Sequence, residues 1–175
     1  MNEMSRDTAG VIVPPPLIPV LVLIVGVALS FLIPLPLLGH TPLTVKVLFG
    51  TINFVVGAAM ITDANHVYRS IGTPAAPSQP TLALATTGVF KWTRNPMYVG
   101  GCLALAGIAI GFALDWVLVC LILSLPLVHY GIVLREEHYL ERRFGEEYRR
   151  YTENVPRYGW RFWRERTTES SANCG

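Results

Sequence analysis

The chain has 175 residues, 51% of them hydrophobic, with a mean hydropathy of +0.42. That is high for a soluble domain and ordinary for a small membrane protein. The formal net charge of +2 is slight, and its uneven distribution suits an anionic lipid leaflet better than nucleic acid.

Residues 1–16 read as a disordered N-terminal segment ending in the Pro14–Pro16 run. The remainder, 17–175, reads as one domain. Apolar stretches follow at about 17–38, 43–62, 97–114 and 116–134. Each falls in the range of about 17–25 residues that a spanning helix needs. The first is too long for a cleaved signal, has only Arg6 as a basic flank and lacks a clear cleavage site, so it reads as an anchor. The second carries Lys46 and Asn53.

Lys and Arg set the orientation. The hairpins near 34–42 and 114–116 contain neither, whereas the loop at 63–96 carries Arg69, Lys91 and Arg94. The tail at 135–175 carries nine arginines. Loop, tail and both termini are therefore expected in the cytoplasm. Lys46, the exception, is close enough to the outer surface to snorkel. Cys102, Cys120 and Cys174 show no metal-ligand spacing.

The loop at 63–96 is marked by Pro74, Pro77 and Pro80 and is not expected to be one helix. Gly88 offers a tight turn. Next comes "KWTRNPMYVGG", residues 91–101. Pro96 suits the first turn of a helix, Asn95 suits its cap, and Arg94 suits the lipid phosphates. That reading leaves Tyr98 and Gly100, one turn in, without a purpose. Further along the third stretch, Gly100, Ala104, Gly107 and Gly111 recur at helical spacing and predict close helix packing.

Past the fourth stretch stand Glu136 and Glu137. Carboxylates at a membrane edge are costly unless hydrated or paired. His129 lies seven residues before Glu136, on the same face of a regular α-helix. In the tail, Leu140, Phe144, Tyr148, Tyr151 and Val155 form an apolar stripe opposite Arg and Glu, predicting an amphipathic helix that continues the fourth span or bends at Gly145. "RYGWRFWR" then suits an interfacial anchor. The fold expected is thus all-α and integral to the membrane, with about four spans and a cytosolic amphipathic helix.

Together, the Arg94 stretch and the acidic pair predict a polar pocket at the cytosolic mouth of an apolar bundle. It would offer a cation, carboxylates, a helix N-terminus and aromatic faces. The cation and the helix N-terminus suit a ligand carboxylate, the glutamates suit ribose hydroxyls or an ammonium, and the aromatic faces suit a cationic centre. S-adenosylmethionine carries all of these groups.

The segment "GTPAAPSQPTLALATTGVFKWTRNPMYVG", followed by "EEHYLERRFGEEYRRYTENVPR", resembles the isoprenylcysteine carboxyl methyltransferase and phospholipid methyltransferase superfamily. The likeness covers about 72–157; the first two spans resemble the family only in hydropathy. It implies an integral membrane enzyme that uses S-adenosyl-L-methionine. It also implies that Leu84 and Ala85 meet the cofactor through their backbone and that Gly88 occupies the turn. Phe90 stands where many members have tyrosine. Asn95 stands where the carboxyl methyltransferases have histidine, while Pro96, Tyr98 and Glu136 match the pattern. Arg94, Gly100 and Glu137 are counted with them in the expected cofactor site. Ile132 and Val133 occupy the region where prenylcysteine enzymes carry arginine, which weakens the case for a prenylcysteine carboxylate as substrate.

The function expected is methyl transfer to a lipophilic acceptor drawn from the bilayer: a prenylcysteine-like carboxylate, a lipid amine or a thiol. An amine or hydroxyl nucleophile needs a base, and His129 and Glu137 are the nearest candidates. No nucleic-acid partner is expected, and no metal. The alternatives are an NADPH-dependent enone or sterol-type reductase and a non-catalytic lipid-binding membrane protein.

Overall fold

The computed structural model describes residues 14–74 and 79–159. The expectations for residues 1–13 and for the aromatic anchor from Trp160 onward lie outside the described residues. Among the described residues every regular element is helical. They are α1 (Leu17–Leu32), α2 (Leu43–Ser70), α3 (Pro96–Gly111), α4 (Asp115–Val128), α5 (Leu134–Phe144) and α6 (Glu146–Asn154), with a 3₁₀ turn at Gly88–Lys91. A π-helical turn, His129–Val133, joins α4 to α5 without a break.

Among the described residues two helices are long and apolar enough to cross a membrane, Leu43–Ser70 and the continuous Asp115–Phe144. Only 11% and 28% of their most apolar stretches are buried inside the protein. A soluble core helix would hide that surface; here it faces outward, as a lipid-facing helix does. α1 and α3, at 16 residues each, are apolar but shorter. Pro34 ends α1 early, because a residue before proline is pushed out of the helical region, and Ile33 leaves it at φ −136° and ψ 89°.

α2 differs from expectation at its far end. It was expected to stop near residue 62 but continues to Ser70, so the loop begins at Ile71. Nothing between Asp63 and Ser70 breaks a helix; polarity there ends the apolar surface but not the backbone pattern. Gly72, at φ 66°, makes the exit.

The helices pack as two pairs, α2 with α3 and α1 with α4. The small residues of α3 meet small residues of α2: Gly50 lies against Gly107 and Gly111, and Gly57 against Gly100 and Ala104. Van der Waals contact between backbones replaces the hydrophobic drive that lipid does not supply. A buried cluster of Ile18, Val22, Leu105, Ala109, Val117 and Ile132 joins α1, α3 and α4.

At one end of the bundle Asp115 accepts hydrogen bonds from the backbone N–H groups of Leu37 and Leu38, at 2.8 and 3.1 Å. Trp116 donates to the Ile33 carbonyl at 2.6 Å. These bonds tie the two short hairpins at this end together. At the other end the chain is folded back. Gly145, at φ 53°, breaks the tail helix at the expected place, and Tyr139, Tyr148 and Val155 are buried.

Candidate functional site

A cavity of about 820 Å³ occupies the end of the bundle where the tail folds back. Cofactor and small-molecule sites typically span about 300–1,000 Å³. Ile18 and Val22 of α1, Leu105 of α3, and Leu121 and Val128 of α4 form its apolar part. Arg94, Asn95, Glu136, Glu137, Tyr139, Tyr148 and Tyr151 form its polar part. The two parts follow from the sequence pattern. The apolar residues lie within the helices, and the polar ones lie at helix ends and in the tail.

The wall before α3 is set by a distant residue. Asp63 of α2 accepts a hydrogen bond from the Val89 N–H at 2.6 Å. Gly88 adopts φ 56°, and a Cβ there would lie 2.5 Å from the Asp63 carboxylate. Glycine is required both by the backbone angle and by this close approach. The turn presents Phe90, whose ring meets Tyr68 edge-on at 5.1 Å. Leu84, Ala85 and Phe90 all line the cavity. Gly88 does not; it shapes the turn from behind.

Pro96 opens α3 as expected, but Asn95 makes no side-chain cap. Its amide instead donates to the Arg157 carbonyl at 3.3 Å. The start of α3 is therefore not capped by Asn95, and Asn95 to Tyr98 border the cavity. Arg94 also departs from expectation. It does not reach outward towards phosphates; its Nη1 lies 3.2 Å from Glu137 Oε1, and its side chain is 13% exposed. The preceding backbone explains this, because the Arg94 N–H is held by the Pro156 carbonyl at 3.0 Å. Arg94 Nε is buried with no hydrogen-bond partner among the described residues.

Glu136 and Glu137 have different surroundings. Glu136 lines the cavity and is hydrogen-bonded to the Tyr98 hydroxyl. Glu137 is clamped: Arg157 donates from Nε to both carboxylate oxygens, at 2.9 and 3.0 Å, and from Nη2 to Oε2 at 2.6 Å. The Glu137 hydrogen bond raises the Arg157 pKa, fixing its charge. Beside this clamp the Tyr148 hydroxyl is pushed up to about 12, first by burial and then by the Glu137 charge. A smaller polar cleft of about 350 Å³ lies behind it, lined by Arg94, Glu137, Glu141, Arg149 and Arg157 among others.

His129 is not among the residues that line the cavity. The expectation that it shares a face with Glu136 assumed regular α geometry. The π turn at His129–Val133 shifts the register by about a quarter turn and separates the two. His129 Nδ1 instead lies 2.6 Å from the Tyr158 hydroxyl. Gly100 also lies off the cavity, packed against Gly57.

The sequence reading missed Asp63, Tyr68, Tyr139 and Arg157. Tyr139 accepts from the Thr81 N–H at 3.1 Å, and Tyr151 donates to the Phe90 carbonyl at 2.7 Å. Asp63 carried a signal, a carboxylate at the end of an apolar stretch that needs a partner.

The family model for phospholipid methyltransferase matches residues 45–147, well over half of the chain. The chain belongs to the phospholipid methyltransferase family. The match runs from α2 through α5, so the second apolar stretch shares more with this methyltransferase family than hydropathy. No curated protein and no solved structure matches the chain. Family membership and the outward-facing apolar helices together make this a membrane protein of a methyltransferase family.

Proposed function

We propose that the protein transfers a methyl group from S-adenosyl-L-methionine to a lipophilic acceptor taken from the bilayer. The observation that carries this reading is a single cavity that is polar at the tail and apolar between α1, α3 and α4. A polar donor and a greasy acceptor need such adjoining compartments.

The residues present fit the donor. Arg94 Nε, without a partner among the described residues, and the first turn of α3, which Asn95 does not cap, suit its carboxylate. Glu136, steadied by Tyr98, suits the ribose hydroxyls or the ammonium. Phe90, Tyr68 and the backbone at Leu84 and Ala85 suit the adenine and the sulfonium. When bound, the donor supplies an electrophilic methyl carbon on a positively charged sulfur.

The chain contributes position and dryness. Ile18, Val22, Leu105 and Leu121 hold the acceptor's apolar part, so its nucleophile meets the methyl group in line and water is excluded. The nucleophile's lone pair forms the new bond to carbon while the carbon–sulfur pair leaves with sulfur. A carboxylate or thiolate needs no base. For an amine or hydroxyl we assign no protein base, because His129 lies off the cavity lining and both Glu137 oxygens are engaged.

The purified protein in detergent is expected to bind S-adenosylmethionine and S-adenosylhomocysteine, but not NADPH, in calorimetric titration. Binding of NADPH with no response to either sulfur ligand would favour the reductase instead.

We further propose that α1 and α3, with their flanking apolar residues, cross the membrane alongside the two longer helices. Four crossings leave both termini and the cavity's polar end in the cytoplasm, consistent with the distribution of Lys and Arg. A cysteine introduced at Ser170 is expected to resist an impermeant thiol reagent in intact cells and to react once the membrane is opened. Labelling in intact cells would rule out this orientation.

A further inference from the structure

Glu137 is where three distant parts of the chain converge. Its carboxylate holds Arg94 from the start of α3 and Arg157 from beyond α6, and its side chain is 11% exposed. The backbone around Arg157 is held as well. The Arg157 carbonyl accepts from Thr93 Oγ1 at 2.9 Å and Asn95 Nδ2 at 3.3 Å, and the Pro156 carbonyl accepts from the Arg94 N–H at 3.0 Å. One residue on, the Tyr158 hydroxyl meets His129 at 2.6 Å. Residues 156–158 thus form a strap across the start of α3, reaching the π turn on the other side.

We infer that Glu137 is a positioning residue for methyl transfer. It anchors this strap, and through it sets Arg94 and Asn95 at the cavity mouth, without itself touching the donor. The inference rests on the donor reading above. Its physical basis is the asymmetry of the acidic pair. Glu136 faces the cavity with a tyrosine partner, whereas the lone pairs of Glu137 are taken by two guanidinium groups. Without the Glu137 charge, Arg94 and Arg157 would face each other with no counterion between them. Breaking one side of a shielded ion pair leaves a charge without compensation, and release of the strap relieves it.

Two measurements on the full-length protein in detergent test the inference. The first is limited trypsin digestion, with cleavage after Arg157 followed by mass spectrometry. In the wild type the Arg157 side chain and carbonyl are both engaged, so this bond is protected. Glu137→Gln is expected to speed its cleavage about tenfold, because proteolysis follows the opened population. Glu141→Gln, which disturbs only an exposed pair with Arg149, is expected to leave it unchanged. Unchanged cleavage in Glu137→Gln, or equal acceleration by Glu141→Gln, would overturn the strap.

The second measurement is a double-mutant cycle on S-adenosylhomocysteine affinity. Glu137→Gln and Arg157→Gln are each expected to weaken binding about tenfold, and the double variant no further than the weaker single, since both cut one anchor. A large loss in Glu137→Gln beside no loss in Arg157→Gln would mean direct contact with the ligand and would overturn the positioning role. If the wild type binds no S-adenosylhomocysteine, the donor reading fails, and protection of the bond after Arg157 still decides the strap.

Discussion

Glu136→Gln is expected to lower the affinity for S-adenosylhomocysteine roughly 10- to 150-fold while leaving the fold intact. Loss of one charged hydrogen bond typically costs about 1.5–3 kcal/mol, which gives that range. Glutamine keeps the size and can still accept from Tyr98, so the substitution isolates the charge. Glu141 is the contrast. It lies five residues on, turned well away around the helix, and pairs with Arg149 at 3.0 Å in an exposed position. Such pairs are worth about 0–1 kcal/mol, so Glu141→Gln should change affinity little. Calorimetry on the two variants is the measurement. Equal and small effects would mean that Glu136 is only the solvated start of the tail helix, and the site drawn around Tyr98 and Glu136 would be wrong.

The second large effect is expected at Gly57. A Cβ there would sit 2.6 Å from the backbone nitrogen of Ala104, and backbone cannot swing aside as a side chain can. Gly57→Val must push α2 and α3 apart along their contact. Overpacking of this kind typically costs about 1–3 kcal/mol, occasionally more. Because Gly50 meets Gly107 two turns away, the separation would spread along the pair. The expected result is a marked fall in the thermal midpoint and in the monodisperse fraction after detergent extraction. A Cβ added at Gly111 meets nothing within 4 Å, so Gly111→Ala should behave as wild type. A Gly57→Val protein as stable as wild type would show that the helices are not so close.

What the sequence made legible was local. Pro96 at the first turn of α3, the break at Gly145 and the small-residue stripe on α3 are each written in neighbouring residues. So is the apolar character of the helices. What it concealed was contact at long range. Asp63 under the Gly88 turn and Asp115 at the start of α4 are single carboxylates whose partners are backbone N–H groups, and backbone leaves no mark in sequence. Arg157 looked like one more arginine in a basic tail. Only folding brings it to Glu137, 20 residues earlier, and to the start of α3. Of the residues expected around the ligand, Leu84, Ala85, Phe90, Arg94, Asn95, Pro96, Tyr98, Glu136 and Glu137 are brought together. Gly88, Gly100 and His129 stand behind or beside the cavity. The glycines shape the walls, and His129 was misplaced by assuming one constant helical pitch.

That pitch change makes the rod from Asp115 to Phe144 behave like two keys cut on one shank. Its upper part is phased to mesh with α1, through Val117 against Gly26, and its lower part to aim Glu136 into the cavity. In a uniform helix the two settings would be one, and improving either would spoil the other. The extra residue lodged at His129–Val133 sets the two apart by a fixed angle. The number of residues between Pro126 and Glu136 is accordingly an angle written as a length. One residue fewer would leave the composition almost untouched and the carboxylate pointing elsewhere.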